Sequence, residues 1–93
     1  MNAFVVETYR ARDAAGSMSA VAQRLRQAAE ELTRDGSRVR YLRSLFVPQD
    51  ETCLLVFEAD SADLVREAAA RAGVAFERVA QAVPGEGGEQ ETP

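Results

Sequence analysis

The sequence has no histidine, no lysine and no tryptophan, and only one cysteine among its 93 residues. Histidine is the commonest general base near neutral pH and the commonest transition-metal ligand in proteins. Its absence excludes Ser–His and Cys–His catalytic arrangements. The single Cys53 cannot form an internal disulfide or a thiolate cluster for zinc or iron–sulfur. Because Cys53 precedes the apolar run Leu54 to Phe57, we expect it to be a small buried side chain.

Long apolar runs and an excess of basic residues are also missing. No stretch approaches the roughly 20 apolar residues of a membrane-spanning helix, and residues 1–10 lack the features of a signal peptide. We therefore expect a cytoplasmic protein without a membrane partner. The formal net charge is −4, whereas nucleic-acid binding depends on a basic field, so we expect no nucleic-acid partner.

Two kinds of periodic pattern make up most of the chain. Segments rich in strand-forming residues occupy residues 3–9, 39–47, 52–59 and 76–83. Residues 3–9 and 39–47 alternate between two different faces, whereas 52–59 is the most apolar segment and is therefore expected to be a central strand. Apolar residues at the spacing of an amphipathic helix occupy residues 18–32 and 64–72. Gly36 and Gly73 are expected to end these helices, and Ser61 to cap the second one.

The order of these segments predicts an α+β fold of the ferredoxin-like βαββαβ type. Right-handed crossovers then place two helices on one face of a four-stranded antiparallel sheet. We expect a single domain over residues 1–83. Residues 84–93 contain three glycines, two prolines and three glutamates but no apolar residue, which predicts a disordered acidic tail.

Strand alternation gives the predicted sheet two unequal faces. The apolar set, expected beneath the helices, contains Phe4, Val6, Leu42, Phe46, Leu55 and Phe57. The opposite, mixed set contains Val5, Glu7, Tyr9, Tyr41, Arg43, Leu45, Leu54, Val56 and Glu58. A face that is half apolar is poorly suited to lying bare in water. We therefore expect it to be covered by a second copy, giving a homodimer, or by a small-molecule ligand.

The mixed face also supplies the candidate ligand-binding residues, which are Glu7, Tyr9, Tyr41, Arg43 and Glu58. In this interpretation Glu7 and Glu58 share Arg43, and the tyrosines offer hydroxyl groups and ring faces to a small polar or aromatic ligand. A desolvated Glu7 could act as a base, with Arg43 stabilising an anion. The alternative is that Arg43 forms only an ion pair at the dimer seam. The pattern assigns no catalytic residue and no metal ligand.

Several short motifs also occur in the order found in a known family. They are Val5-Val6-Glu7, Tyr41 to Val47, Asp50, Cys53 to Ala59, Val65-Arg66-Glu67 and Ala72 to Val79. Over residues 3–83 the chain resembles the small actinobacterial nickel-binding, ferredoxin-like proteins, otherwise classed as a domain of unknown function. The resemblance implies a dimeric ferredoxin-like fold and nickel as the bound metal. Where this family often has a histidine the chain has Arg43, which cannot ligate a metal, and Ala75 replaces a proline.

Three functional hypotheses follow. The first is a non-enzymatic, homodimeric binding protein without an assigned cofactor, whose sheet faces enclose or border a small molecule or, as the less favoured alternative, a metal ion such as the nickel that the resemblance implies. The second is a cofactor-free enzyme of the dimeric α/β-barrel kind, similar to an oxygenase or a cyclase, in which Glu7, Arg43 and the tyrosines act on a small organic substrate. The third is a purely structural dimerisation module. The sequence favours the first.

Overall fold

The computed structural model describes residues 1–9 and 18–83, and its elements follow the predicted order. They are β1 (Asn2–Tyr9), α1 (Met18–Arg34), β2 (Val39–Val47), β3 (Thr52–Ala59), α2 (Ala62–Arg71) and β4 (Arg78–Ala82). A single 3-10 turn, Pro48–Asp50, joins β2 to β3. The fourth strand begins later than predicted, because Phe76 lies before it and packs against the core. The predicted tail, residues 84–93, lies outside the described residues.

The four strands form one antiparallel sheet in the order β2-β3-β1-β4. Strands β3 and β1 are therefore central, and β3 is the most apolar of the four, as its sequence predicts. The register places Val5 of β1 opposite Val56 of β3 on one side and Ala80 of β4 on the other. The predicted α+β arrangement, an antiparallel four-stranded sheet with two helices, is confirmed.

The core lies between the two helices and one face of the sheet. The helices contribute Val21, Leu25, Ala28, Ala29, Leu32, Val65 and Ala68, and the sheet contributes Phe4, Val6, Cys53, Leu55, Phe57 and Ala59. Burial of such side chains is the main favourable term in folding. Cys53 is buried, as its apolar neighbours predict. No helix in the described ranges is long and apolar enough to cross a membrane.

The helix ends follow the predicted capping residues. The Ser61 hydroxyl accepts a hydrogen bond from the Leu64 backbone N–H at 3.4 Å. Gly73 and Gly36 take up left-handed backbone angles after α2 and α1, with φ of +73° and +99°. The Arg24 Nε of α1 donates to the Ala72 carbonyl at 2.9 Å, so one helix also caps the other.

A β-bulge in β2 changes which residues of that strand face the helices. Tyr41 lies opposite Phe57 but Arg43 lies opposite Val56, so Leu42 is the extra residue. Tyr41 therefore faces the helices, and its ring packs edge-on against the Phe57 ring at 5.4 Å between centroids. The predictions that Tyr41 lies on the mixed face and Leu42 beneath the helices are wrong. Strict alternation does not continue across a bulge, and Leu42 is half-buried outside the core cluster.

Candidate functional site

The sheet face turned away from the helices is the candidate site, and we call it the open face. Its residues are Ala3, Val5, Glu7 and Tyr9 of β1, Arg40, Arg43, Leu45 and Val47 of β2, Thr52, Leu54, Val56 and Glu58 of β3, and Arg78, Ala80 and Ala82 of β4. Successive side chains along a strand point to opposite faces, so every strand of the sheet places about half of its residues on the open face. Four of the five predicted site residues lie here.

The middle of the open face is apolar. Val5, Leu54 and Val56 are half-buried on the central strands, and Leu45, which is 51% exposed, continues the patch onto β2. Within the described residues, three of the five exposed large hydrophobic side chains belong to this face: Tyr9, Leu45 and Val47. Isolated exposed apolar residues are ordinary, but a contiguous apolar patch with a polar rim is typical of an interaction surface.

Two ion pairs lie on the rim of the apolar patch. Glu7 Oε1 is 3.5 Å from Arg78 Nε, and Glu58 Oε1 is 3.4 Å from Arg40 Nη1. The side chains are between 38% and 71% exposed, so neither pair adds much to stability. Their effect is to fix the positions of two negative and two positive charges around the patch.

Arg43 does not join the two glutamates, contrary to the prediction. Glu58 lies opposite Ala3, whereas Glu7 lies farther along β1, so the two carboxylates are separated by about 13 Å of strand. Arg43 lies opposite Val56 at the edge of the apolar patch. Within the described part of the chain its guanidinium makes no ion pair or hydrogen bond. The open face therefore carries one exposed cation with no partner among these residues.

Tyr9 lies at the end of the open face nearest the β2–β3 turn. Its hydroxyl donates to Glu51 Oε1 at 2.8 Å. This hydrogen bond, and then the negative charge of the same carboxylate, raise the pKa of Tyr9 above its ordinary value of about 10. The contact stabilises the fold below about pH 10, and this contribution is lost as pH rises through the raised pKa.

Tyr41, the fifth predicted residue, lies on the other side of the sheet. The guanidinium carbon of Arg26 on α1 lies 5.7 Å from the centroid of the Tyr41 ring. Both residues line a cavity of about 440 Å³, which we call the α1–β2 cleft. Its other lining residues are Ala29, Glu30, Thr33, Arg34, Val39 and Arg40. The predicted site is therefore divided between two surfaces.

Sequence reasoning missed three partners of the predicted site residues. Arg78 pairs with Glu7, Arg40 pairs with Glu58, and Glu51 accepts the hydrogen bond from Tyr9. Each partner comes from a neighbouring strand or turn, so only the register between strands identifies it. The sequence did offer one partial signal for Arg40. It follows the apolar Val39 in a predicted strand, so the two side chains are expected on opposite faces of the sheet, with Arg40 on the open face.

Comparison with known proteins adds a family to this geometry. Residues 4–81 match the family model described as nickel responsive protein SCO4226-like. The chain belongs to this family. The predicted resemblance to small actinobacterial nickel-binding, ferredoxin-like proteins is thereby confirmed.

A solved structure supports the same fold. The crystal structure of SCO4226 from Streptomyces coelicolor A3(2) matches with a TM-score of 0.67 and 16% sequence identity. The match covers 90% of this chain and 99% of that one. At this level of identity the SCO4226-like chain shares the fold with that protein, and side-chain roles do not carry over. No curated protein matches the chain.

Proposed function

We propose that this chain is a non-enzymatic binding protein that works in the cytoplasm as a homodimer, with the open faces of two copies packed together. The observation that carries the proposal is the open face itself. It is half apolar, it spans all four strands, and both helices pack on the opposite side of the sheet. A surface of this kind is stabilised when a partner removes its apolar centre from water.

The charges of the open face suit a second copy of the same surface. Its rim carries Arg40, Arg43, Arg78, Glu7 and Glu58, and Glu51 joins it through Tyr9. The formal charge of this set is zero, so two identical faces meet without an excess of one sign. In a two-fold symmetric contact both copies use the same patch, so a residue pair that forms from the first copy to the second also forms from the second copy to the first. Arg43 of one copy can then pair with a carboxylate of the other.

The arrangement does not favour the enzyme hypothesis. The candidate base, Glu7, is paired with Arg78. Arg43 lies on β2, two strands away from Glu7, and Tyr41 faces the helices. The constellation of glutamate, arginine and two tyrosines that the hypothesis needs is therefore not assembled. Membership of the nickel-responsive family also suggests a non-enzymatic protein.

The residues described do not fit a nickel site, although the family description names this metal. The full sequence has no histidine, and Cys53 is fully buried in the core. Residues 1–9 and 18–83 contain no group of three or more Asp, Glu, Cys or His side chains placed to hold a metal ion. Sites made only of scattered oxygen ligands suit nickel less well than imidazole and thiolate sites do.

A nickel titration tests this conclusion. We expect calorimetric titration of NiCl₂ into the tag-free protein to give no stoichiometric binding in the micromolar range. The same chain carrying a hexahistidine tag serves as the positive control, because it must bind nickel under identical conditions. Micromolar binding of one or more nickel ions per tag-free chain would contradict the conclusion that these residues do not form a nickel site.

Light scattering after size exclusion tests the homodimer. We expect the wild-type chain to have the mass of a dimer at tens of micromolar. Leu45→Arg places a charge in the apolar patch, and we expect it to weaken association at least about tenfold, which is about 1.4 kcal/mol. Ala70→Arg is the matched control, because Ala70 is exposed on α2, on the other side of the molecule.

Circular dichroism melts of both variants establish that they fold before their masses are compared. A wild-type monomer at tens of micromolar would refute the homodimer. Equal masses for Leu45→Arg and Ala70→Arg at every concentration would show that the open face is not the contact.

A further inference from the structure

The α1–β2 cleft differs from the open face in charge as well as position. It lies along the outer edge of the sheet, because β2 is an edge strand and α1 packs beside it. Its volume of about 440 Å³ is within the range of small-molecule sites, roughly 300–1,000 Å³. Ala29, Val39 and the ring of Tyr41 give it an apolar floor, and charged side chains surround that floor.

The charges around the cleft are predominantly positive. Three arginines and one glutamate line it, for a formal charge of +2, whereas the whole chain carries −4. Arg40 is paired with Glu58, and Arg26 lies over the Tyr41 ring. In the part of the chain that the structure describes, Arg34 forms no ion pair or hydrogen bond. A local basic site in an acidic protein favours an anionic ligand.

The β-bulge supplies the aromatic part of this cleft. Because Leu42 is inserted, Tyr41 lies opposite Phe57 on the helix side instead of joining the open face. Bulges are common beside functional sites, where they redirect a side chain. In the described residues the Tyr41 hydroxyl has no hydrogen-bond partner, so it too can contact a ligand.

We propose that the α1–β2 cleft binds a small aromatic carboxylate. The ligand ring packs on Tyr41 and the neighbouring apolar floor, and the carboxylate pairs with Arg34 near the start of β2. Arg26 and Arg34 are about 12 Å apart along the axis of α1, so one small carboxylate reaches only one of them. Arg34 is the one without a partner, and guanidinium binds carboxylate in a two-pronged geometry. This site lies beside the proposed dimer contact, and Arg40 belongs to both surfaces, because it lines the cleft and pairs with Glu58 on the open face.

Titration with 2-naphthoate, followed by ¹⁵N–¹H NMR, tests the proposal. We expect saturable shifts confined to the residues of α1 and β2 that line the cleft. The neutral analogue 2-naphthamide should bind at least about tenfold more weakly, because it cannot form the charge-assisted hydrogen bonds that the carboxylate makes with Arg34. Inorganic phosphate, which lacks a ring, should produce no saturable shift in the same range.

Charge-removal variants identify the anion partner. Arg34→Gln should weaken the binding of 2-naphthoate at least about tenfold. Arg66→Gln should leave its affinity unchanged, because Arg66 pairs with Asp63 on α2, away from the cleft. Tyr41→Leu tests the ring, and we expect it to reduce naphthoate affinity while the α1 and β2 backbone signals keep their dispersion.

Four results would overturn the proposal. They are absence of saturable shifts with 2-naphthoate, equal binding of the amide and the carboxylate, equal binding of phosphate and naphthoate, and unchanged affinity in Arg34→Gln. The dimer-weakening variant Leu45→Arg separates this site from the proposed function. It changes the open face alone, so we expect it to bind naphthoate like the wild type whether or not the homodimer exists.

Discussion

Phe57→Ala should lower the free energy of unfolding by about 3–5 kcal/mol. Phe57 is fully buried at the centre of the sheet and belongs to the core cluster that both helices share. Its ring also packs against Tyr41. Removal of the ring loses its transfer free energy and leaves a cavity that the close-packed neighbours only partly fill. For a domain of this size the loss is a large part of the total, about 5–14 kcal/mol.

Urea unfolding followed by circular dichroism measures this loss. It is done at one fixed protein concentration, because the stability of the proposed homodimer would depend on concentration. Phe46→Ala is the matched control, since Phe46 is only half-buried and packs against the core from the edge strand β2. We expect Phe46→Ala to lower the free energy of unfolding clearly less than Phe57→Ala does. An equal or smaller loss for Phe57→Ala would contradict the placement of the core between helices and sheet.

The elements and the core follow from local patterns that the sequence displays directly. In α1 the buried residues Val21, Leu25, Ala28 and Leu32 recur at helical spacing, and this spacing alone identifies the buried stripe. Strand β3 alternates without interruption, with buried residues at every second position from Cys53 to Ala59. Where a pattern is regular, each residue's environment depends on its immediate neighbours, so local reasoning is sufficient.

The site could be predicted only in part, because its geometry depends on contacts between distant segments. Tyr41 and Leu42 are adjacent and both largely apolar, so either phase of alternation gives an acceptable strand, and nothing in the sequence locates the bulge. The Glu7–Arg78 pair likewise depends on the register of β4 against β1. Strand alternation correctly predicted a face of mixed character, but the partners of its charged residues could be identified only from the pairing of strands.

The many alanines of the sequence have a packing role that gives the second large prediction. On α2, Ala68 is fully buried against the core, and its small side chain lets the helix lie close to the sheet. Ala68→Leu adds three carbons where no space is available, so we expect the free energy of unfolding to fall by about 1–3 kcal/mol. The same denaturation measurement at fixed protein concentration reports it.

Ala70→Leu is the matched control for the change at Ala68. Ala70 lies on the same helix but is exposed, so the two variants share the small difference in helix propensity and differ in burial. We expect Ala70→Leu to change stability by no more than about 0.5 kcal/mol. Equal stability of the two variants would mean that α2 is free to move away from the sheet. The small side chains would then reflect composition alone, and the close contact between α2 and the core would not be required for the fold.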